Sequence, residues 1–386
     1  MRLNLILPVI EPERYQKQPQ CVHCGGRRTY PRQDVVKKIV DGKYSEVVAR
    51  RYHCRKCERT FRVYPQGVCK KQFSQRALGL AAMLYVMGLS YGATAAVLTA
   101  LDIAISKSTV YRVVQRICQQ VPGLRQEGLV SGYTTPALGA DLTSIRCNGE
   151  WLTLGICVDE TNGWVLSIDQ LDGADTDTLQ NWLQPLIEHF DAQVLVTDDA
   201  DAFKTVADTS GVAHQVCKSH VLRNTEALIE DLLSKLSEKP DPSLQTLNIS
   251  NAQARQDLTR LRALTAARLP EDQFELEQLF YKYADARKPP KGKHTLAYRI
   301  RNLFMDRWNL WPRLTFYRSW LDPDDQSPLL DGTNNATERA IGWWIKERYR
   351  SMKAYKSPLS ALGVSRLVAF MGGHLHSGLP LADFIN

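Results

Sequence analysis

The stretch from residue 137 to 233 constrains this chain more than any other. Three apolar segments, 137–146, 151–158 and 164–171, follow one another with no helical pattern between them, and alternation and β-branched content predict a strand for each. Asp159-Glu160-Thr161-Asn162-Gly163 separates the last two as a hairpin turn. The pattern then changes. Leu179, Trp182, Leu183, Leu186, Ile187 and Phe190 share one face of a helix predicted over 175–190. A buried strand over 192–196, a helix from Ala202, a short strand over 212–216 and a helix over 217–233 complete an α/β unit.

The flanks read differently. Cys21-Val22-His23-Cys24 and Cys54-Arg55-Lys56-Cys57 are two Cys-x-x-Cys pairs. Between and after them, 35–40, 46–53 and 60–64 read as short strands. Two such knuckles on hairpins predict a zinc ribbon with Cys21, Cys24, Cys54 and Cys57 as a tetrahedral thiolate set. Nine cysteines, an odd number, fit a reducing compartment better than a disulfide framework. Cys69, Cys118, Cys147 and Cys157 lack such spacing and read as packing residues.

Residues 75–87, 93–101 and 106–117 predict three helices, with Ser106 or Ser108 as N-cap of the third. This is a helix-turn-helix layout, and the front of its last helix offers Lys107, Ser108, Thr109 and Arg112 to a DNA groove. The expected organisation is a ribbon over 1–72, a helix-turn-helix over 73–121 and a Pro/Gly-rich linker over 122–136. An α/β part over 137–232 follows, then a helical insertion over 233–332 and a closing part over 333–386, which opens on one long helical stretch from Asn334 through Tyr355.

Composition sets bounds. At 386 residues, 44% hydrophobic and 23% charged, the chain is neither collagen-like, disordered nor a disulfide scaffold. Its net charge of +8 is unevenly spread. Residues 1–75 hold 17 Lys/Arg and 6 Asp/Glu, 137–231 hold 4 and 17, and 335–386 hold 7 and 3. Basic ends suggest nucleic acid, and an acidic middle suggests cations. Residues 77–101 carry no charge over 25 positions, long enough to span a bilayer, but Leu89-Ser90-Tyr91-Gly92 breaks the run into two short core helices. No signal peptide and no membrane role are expected.

Asp141 falls within the first predicted strand, Asp198 at the end of the fourth and Glu338 in the first turn of a late helix. A strand's carboxyl end is a natural place for a ligand-facing side chain. Composition and periodicity do not single these three out of 41 acids. Resemblance does. Ala140-Asp141, Val196-Thr197-Asp198-Asp199, the run Gln215–Asn224 with Cys217 and His220, and Thr333-Asn334-Asn335-Ala336-Thr337-Glu338-Arg339 resemble the DDE transposases of bacterial insertion sequences, and most of all their Mutator-like branch with its Cys-x-x-His signature.

The resemblance implies a ribonuclease H-like catalytic fold interrupted by the helical insertion. It also implies catalytic Asp141, Asp198 and Glu338 holding two Mg²⁺ (or Mn²⁺) ions, cleavage at terminal inverted repeats, and strand transfer into target DNA by a dimer or larger assembly. Asp199 stands where the family often has Gly and is the alternative second ligand, with Asp201 a weaker one. Cys217 and His220, one helical turn apart, are expected to brace the site. Arg339, Lys346, Arg350 and Lys353 are expected to track phosphates, Trp343 and Trp344 to lie in the core, and structural Zn²⁺ to sit in the head. The expected location is the cytoplasm, on the nucleoid. The rival readings are a transposase-derived DNA-binding regulator and another ribonuclease H-like nuclease, and metal-dependent cleavage and strand-transfer products separate them.

Overall fold

The computed structural model describes residues 7–124, 132–352 and 355–377. A three-stranded antiparallel sheet opens the chain: β1 (Thr29–Lys38), β2 (Glu46–Cys54) and β3 (Thr60–Val63), in the order β1-β2-β3. Three helices follow, α1 (Gln75–Val86), α2 (Tyr91–Ala100) and α3 (Lys107–Leu124). Ser74 and Ser90 cap the first two by accepting from the amides of Ala77 and Ala93. Ser106 Oγ accepts from the Thr109 amide at 3.2 Å, so it is Ser106 that caps the third. The uncharged run therefore divides at Gly88, whose φ of 110° needs glycine. Among the described residues no helix is long and apolar enough to cross a membrane.

The second sheet has five strands: β4 (Ala137–Cys147), β5 (Glu150–Asp159), β6 (Val165–Leu171), β7 (Val194–Thr197) and β8 (Ala213–Val216). The order is β6-β5-β4-β7-β8, antiparallel from β6 to β4 and parallel from β4 to β8. The parallel half is reached through α4 (Thr176–Phe190) and α5 (Asp201–Ser210), as parallel pairing requires.

Alternation along β4 divides the two faces. Leu138 and Ala140 join Cys157, Leu179, Leu183 and Phe203 under α4 and α5. Ile145 and Cys147 join Leu154, Ile156 and Ile168 on the opposite face.

That opposite face is covered by the end of the chain: α11 (Asn335–Ala340), a π-helical turn (Ile341–Lys346), α12 (Glu347–Met352) and α13 (Pro358–Ser377). The sequence predicted one helix through Tyr355 and did not foresee α13. Ala361, Val364, Leu367 and Val368 of α13 share a core with Val110, Val114 and Ile117 of α3. Gly363 lets the two backbones approach, since a Cβ there would lie 3.1 Å from Cys118 Cβ. The three head helices thus pack onto the α/β unit.

The remaining helices form a core of their own: α6 (Lys218–Lys235), α7 (Pro242–Gln245), α8 (Asn251–Ala267), α9 (Gln273–Lys282) and α10 (Leu296–Thr315). Trp311 is fully buried there. Asp257, almost fully buried on α8, is held by Lys282 Nζ at 2.9 Å and Tyr283 Oη at 3.0 Å.

Candidate active site

Strand register brings Asp141 and Asp198 together. Gly139 of β4 pairs with Val196 of β7 in parallel, and each aspartate lies two residues further on. A two-residue step keeps the side on which a side chain points. Both carboxylates therefore leave the sheet at one level, on the face covered by α11. The Leu142 amide donates to Asp141 Oδ1 at 2.7 Å, and the Ala200 amide to Asp198 Oδ1 at 3.1 Å.

Glu338 comes from α11, which a tight local packing seats on that face. Gly139 has no room for a side chain: a Cβ there would lie 2.4 Å from Thr337 Oγ1 and 2.0 Å from Glu160 Oε1. The loop before α11 is tied down by the Asn334 amide donating to Cys217 Sγ at 3.3 Å and by the Lys218 amide donating to the Gly332 carbonyl at 2.9 Å. Asn334 and Thr337 are fully buried, while the Glu338 side chain is 41% exposed.

The three carboxyls act on one another. Burial is the main cause that pushes Asp141 up to about 6; the Leu142 amide and His220 oppose the shift, and Asp198 and Glu338 add to it. A hard divalent cation fits this set: the donors are carboxylate oxygens, and a positive ion would relieve the repulsion. Their oxygens do not form one of the tightest donor groups among the described residues. Those are Cys21–Cys24–Cys54–Cys57 and Cys217–His220–Glu338, each with donor atoms within 4.8 Å of one another.

Asp199, the alternative ligand, points into a different environment. Its Oδ1 lies 2.7 Å from Lys204 Nζ and its Oδ2 3.9 Å from Arg307 Nη1. Arg307 is itself buried, its Nε donating to Thr225 Oγ1 at 2.7 Å. Asp199 thus anchors β7 to the helical insertion. The Asp201 side chain is almost wholly exposed and paired with Lys204.

His220 Nε2 is 3.2 Å from Glu338 Oε1, and Cys217 holds the Asn334 amide. Glu160 escaped the sequence analysis. It sits in the β5–β6 turn, and its Oε1 accepts from Thr337 Oγ1 at 2.8 Å, one residue from Glu338. Burial, opposed by Thr337 and reinforced by Asp331, raises its carboxyl to about 7. Its turn position gave no signal, because only the fold carries the turn to α11.

In the head, Cys21 and Cys57 Sγ are 3.6 Å apart and Cys24 and Cys54 Sγ 3.7 Å. A tetrahedral zinc with arms of about 2.3 Å has sulfur–sulfur edges of about 3.8 Å. The His23 and Lys56 amides donate to Cys21 and Cys54 Sγ at 3.4 Å each, which favours thiolates. Backbone amides, chiefly that of Cys57, lower the Cys54 thiol to about 7.

Lys107, Ser108 and Arg112 are exposed at the front of α3, with Thr109 half-buried beside them. Lys71, Arg112 and Arg116 line a cleft of about 550 Å³ there, and Lys71 and Arg116 were not foreseen. Arg339, Lys346 and Arg350 are exposed as expected, whereas Lys353 lies outside the described residues. Trp344 packs against the core, but Trp343 is 58% exposed and is not the core residue the sequence suggested.

The profile of the Transposase IS66 family matches residues 70–356 of this chain. The protein belongs to that family of transposases. The match is to IS66 transposases, so the Mutator-like placement drawn from the motifs is not carried by it. No curated protein matches the chain. Among solved structures, the Drosophila P element transposase strand transfer complex is similar at 10% identity and a TM-score of 0.28, covering 79% of this chain and 83% of that one. The simian T-cell lymphotropic virus intasome in complex with PP2A regulatory subunit B56 gamma is similar at 13% identity and a TM-score of 0.20, covering 64% and 72%. Scores at this level carry no inference about this chain.

Proposed function

We propose that this transposase cuts and joins DNA at Asp141, Asp198 and Glu338. The observation that carries the reading is the register match that sets Asp141 and Asp198 side by side under the helix bearing Glu338. The order 3-2-1-4-5, antiparallel then parallel, supports a ribonuclease H-like arrangement, interrupted by the helical insertion between β8 and α11.

The three carboxylates would hold two Mg²⁺ or Mn²⁺ ions, which when bound supply Lewis acidity at the scissile phosphate. The chain's own residues do the positioning. The Leu142 and Ala200 amides orient the two aspartates, and His220 holds Glu338. Hydrolysis at an element end joins a water oxygen to phosphorus, breaks the P–O3′ bond and leaves a 3′-hydroxyl. In strand transfer that hydroxyl attacks a target phosphate and displaces its 3′-oxygen.

The zinc ribbon and helix-turn-helix would recognise terminal inverted repeats, with Lys107, Ser108, Thr109 and Arg112 at base edges and phosphates. Arg339, Lys346, Arg350 and Lys353 would follow the backbone beyond the cut. Synapsis of two ends calls for at least a dimer, working on the nucleoid in the cytoplasm.

The test uses DNA from the flanks of the gene with Mg²⁺. Wild-type protein is expected to nick at inverted repeats and to yield joined strands. Asp198→Ala and Glu338→Ala are expected to bind the DNA and leave it uncut. Asp199→Asn should still cut, because Asp199 belongs to the Lys204–Arg307 contact. Binding without cleavage by wild type would favour a DNA-binding regulator; cutting without joining would favour another nuclease.

A further inference from the structure

A cleft of about 300 Å³ opens between the β5–β6 turn and the face of α11 and the π-helical turn that bears Ala336, Ala340 and Trp343, and its walls are aromatic. Trp343 and Trp344, on the π-helical turn, meet edge to face with centroids 6.2 Å apart. Trp164, from the β5–β6 turn, forms the facing wall and is 42% exposed. Ala336 and Ala340 make a small-residue floor, and Arg339 is the one charged residue among the described residues of the lining.

Exposed tryptophans on a loose loop would mean little. These are held. Tyr133 stacks on Trp164 with centroids 5.7 Å apart. The Trp164 amide donates to Asn162 Oδ1 at 2.8 Å, and Asn162 Nδ2 donates to Asp159 Oδ2 at 3.0 Å and to Tyr133 Oη at 2.7 Å. Tyr133 Oη also donates to Asp159. The two walls are tied to each other as well, because Thr337 of α11 donates to Glu160 of the turn. The π-helical turn begins three residues after Glu338 and changes the helical phase there; such turns recur at functional sites.

We infer that this cleft receives one unpaired nucleobase of the DNA held at the carboxylates. The proposal rests on the reading of the protein as a DNA transposase. Aromatic faces stack on any base, so the cleft would accept it without reading its identity. Arg339 at the wall, with Lys346 and Arg350 exposed beyond it, complements the phosphates of a polyanion. Arg339 and Ala340 of the cleft belong to the same helix as Glu338, so a captured base would hold its strand against the element that carries the third carboxylate.

The probe is a short duplex carrying one extrahelical adenine, compared with the same duplex in which that nucleotide is abasic. Wild-type protein is expected to bind the adenine duplex about tenfold more tightly, the worth of one base–aromatic stack. Trp343→Ala should bind both equally, and Trp343→Phe should keep most of the difference. Trp164→Ala, on the opposite wall, should also reduce it, which guards against a single misfolded variant. If wild type does not distinguish the two duplexes, or Trp343→Ala distinguishes them as wild type does, the proposal falls. A change in the oligomer mass of Trp343→Ala with base discrimination intact would overturn it in favour of a contact between copies. Cleavage of element-end DNA, measured on the same preparations, keeps the two readings apart. Discrimination without any cleavage would leave the cleft standing and sink the transposase chemistry; cleavage without discrimination would do the reverse.

Discussion

Glu160 is a carboxyl whose state the fold sets. Its pKa rises from 4.5 to about 7, chiefly through burial, so the folded chain binds this proton more tightly than the unfolded chain does. The stability tied to this proton is complete below about pH 4.5 and is lost as pH rises through about 7. Glu160→Gln keeps an acceptor for Thr337 and has no charge to bury. It should be more stable than wild type by about 1–3 kcal/mol near pH 8 and similar to it near pH 4, read from thermal melts across that range. Parallel pH profiles for the two proteins would reject this account.

The catalytic candidates show how far single residues can be read. Asp141, Asp198 and Glu338 came from motif resemblance, and the strand register then set the two aspartates at one level. The choice between Asp198 and Asp199 was open in the sequence because neighbouring residues on a strand end differ only in the side they face. Packing gives them different surroundings: the insertion supplies Arg307 and α5 supplies Lys204, and both lie against Asp199.

At the scale of elements, the seat of α11 on β4 depends on the missing side chain at Gly139. Gly139→Ala would drive a methyl into Thr337 and Glu160, neither of which can withdraw without opening their hydrogen bond. Overpacking of this kind costs about 1–3 kcal/mol. The variant should be less stable by that amount, read from its unfolding transition, and lose cleavage while still binding DNA through the head. Cleavage at the wild-type rate would show that α11 does not need this contact.

Most strands and helices were legible because each buries one face against a neighbour, which leaves a period in the sequence. The uncharged run over 77–101 divided close to the expected break, with Leu89 and Ser90 outside the helices, but Tyr91 and Gly92 open α2 and the glycine that turns the chain is Gly88. Two things were not legible. The helix after Glu338 was expected to run unbroken, but a π-helical turn interrupts it. Trp343 was expected inside, because hydrophobicity cannot say which side of a turn faces the sheet.

At the scale of the molecule, the N-terminal three-stranded sheet, proposed above as a zinc ribbon, has small clusters of its own among the described residues, around Ile10, Ile39 and Val47 and around Tyr52 and Phe61. A core of this size rarely stands without a metal. Cys24→Ser should release zinc, measured by elemental analysis, and lose specific binding to element ends. The α/β core, with its separate clusters, should keep its melting transition. Zinc retained with specific binding unchanged would refute the ribbon's role.

The sequence alone determined the periodic elements, the four-thiol head and the acidic character of the middle, since these depend on local spacing and composition. It could not determine which acids meet. That needed β4 and β7 in parallel register, distant in the chain and adjacent in the sheet. Nor could it place Glu160 against Thr337, or Trp164 across from Trp343, because those contacts join a hairpin turn to a helix some 177 residues away. Local pattern fixes which side of an element is apolar; only tertiary packing chooses the partner each side meets.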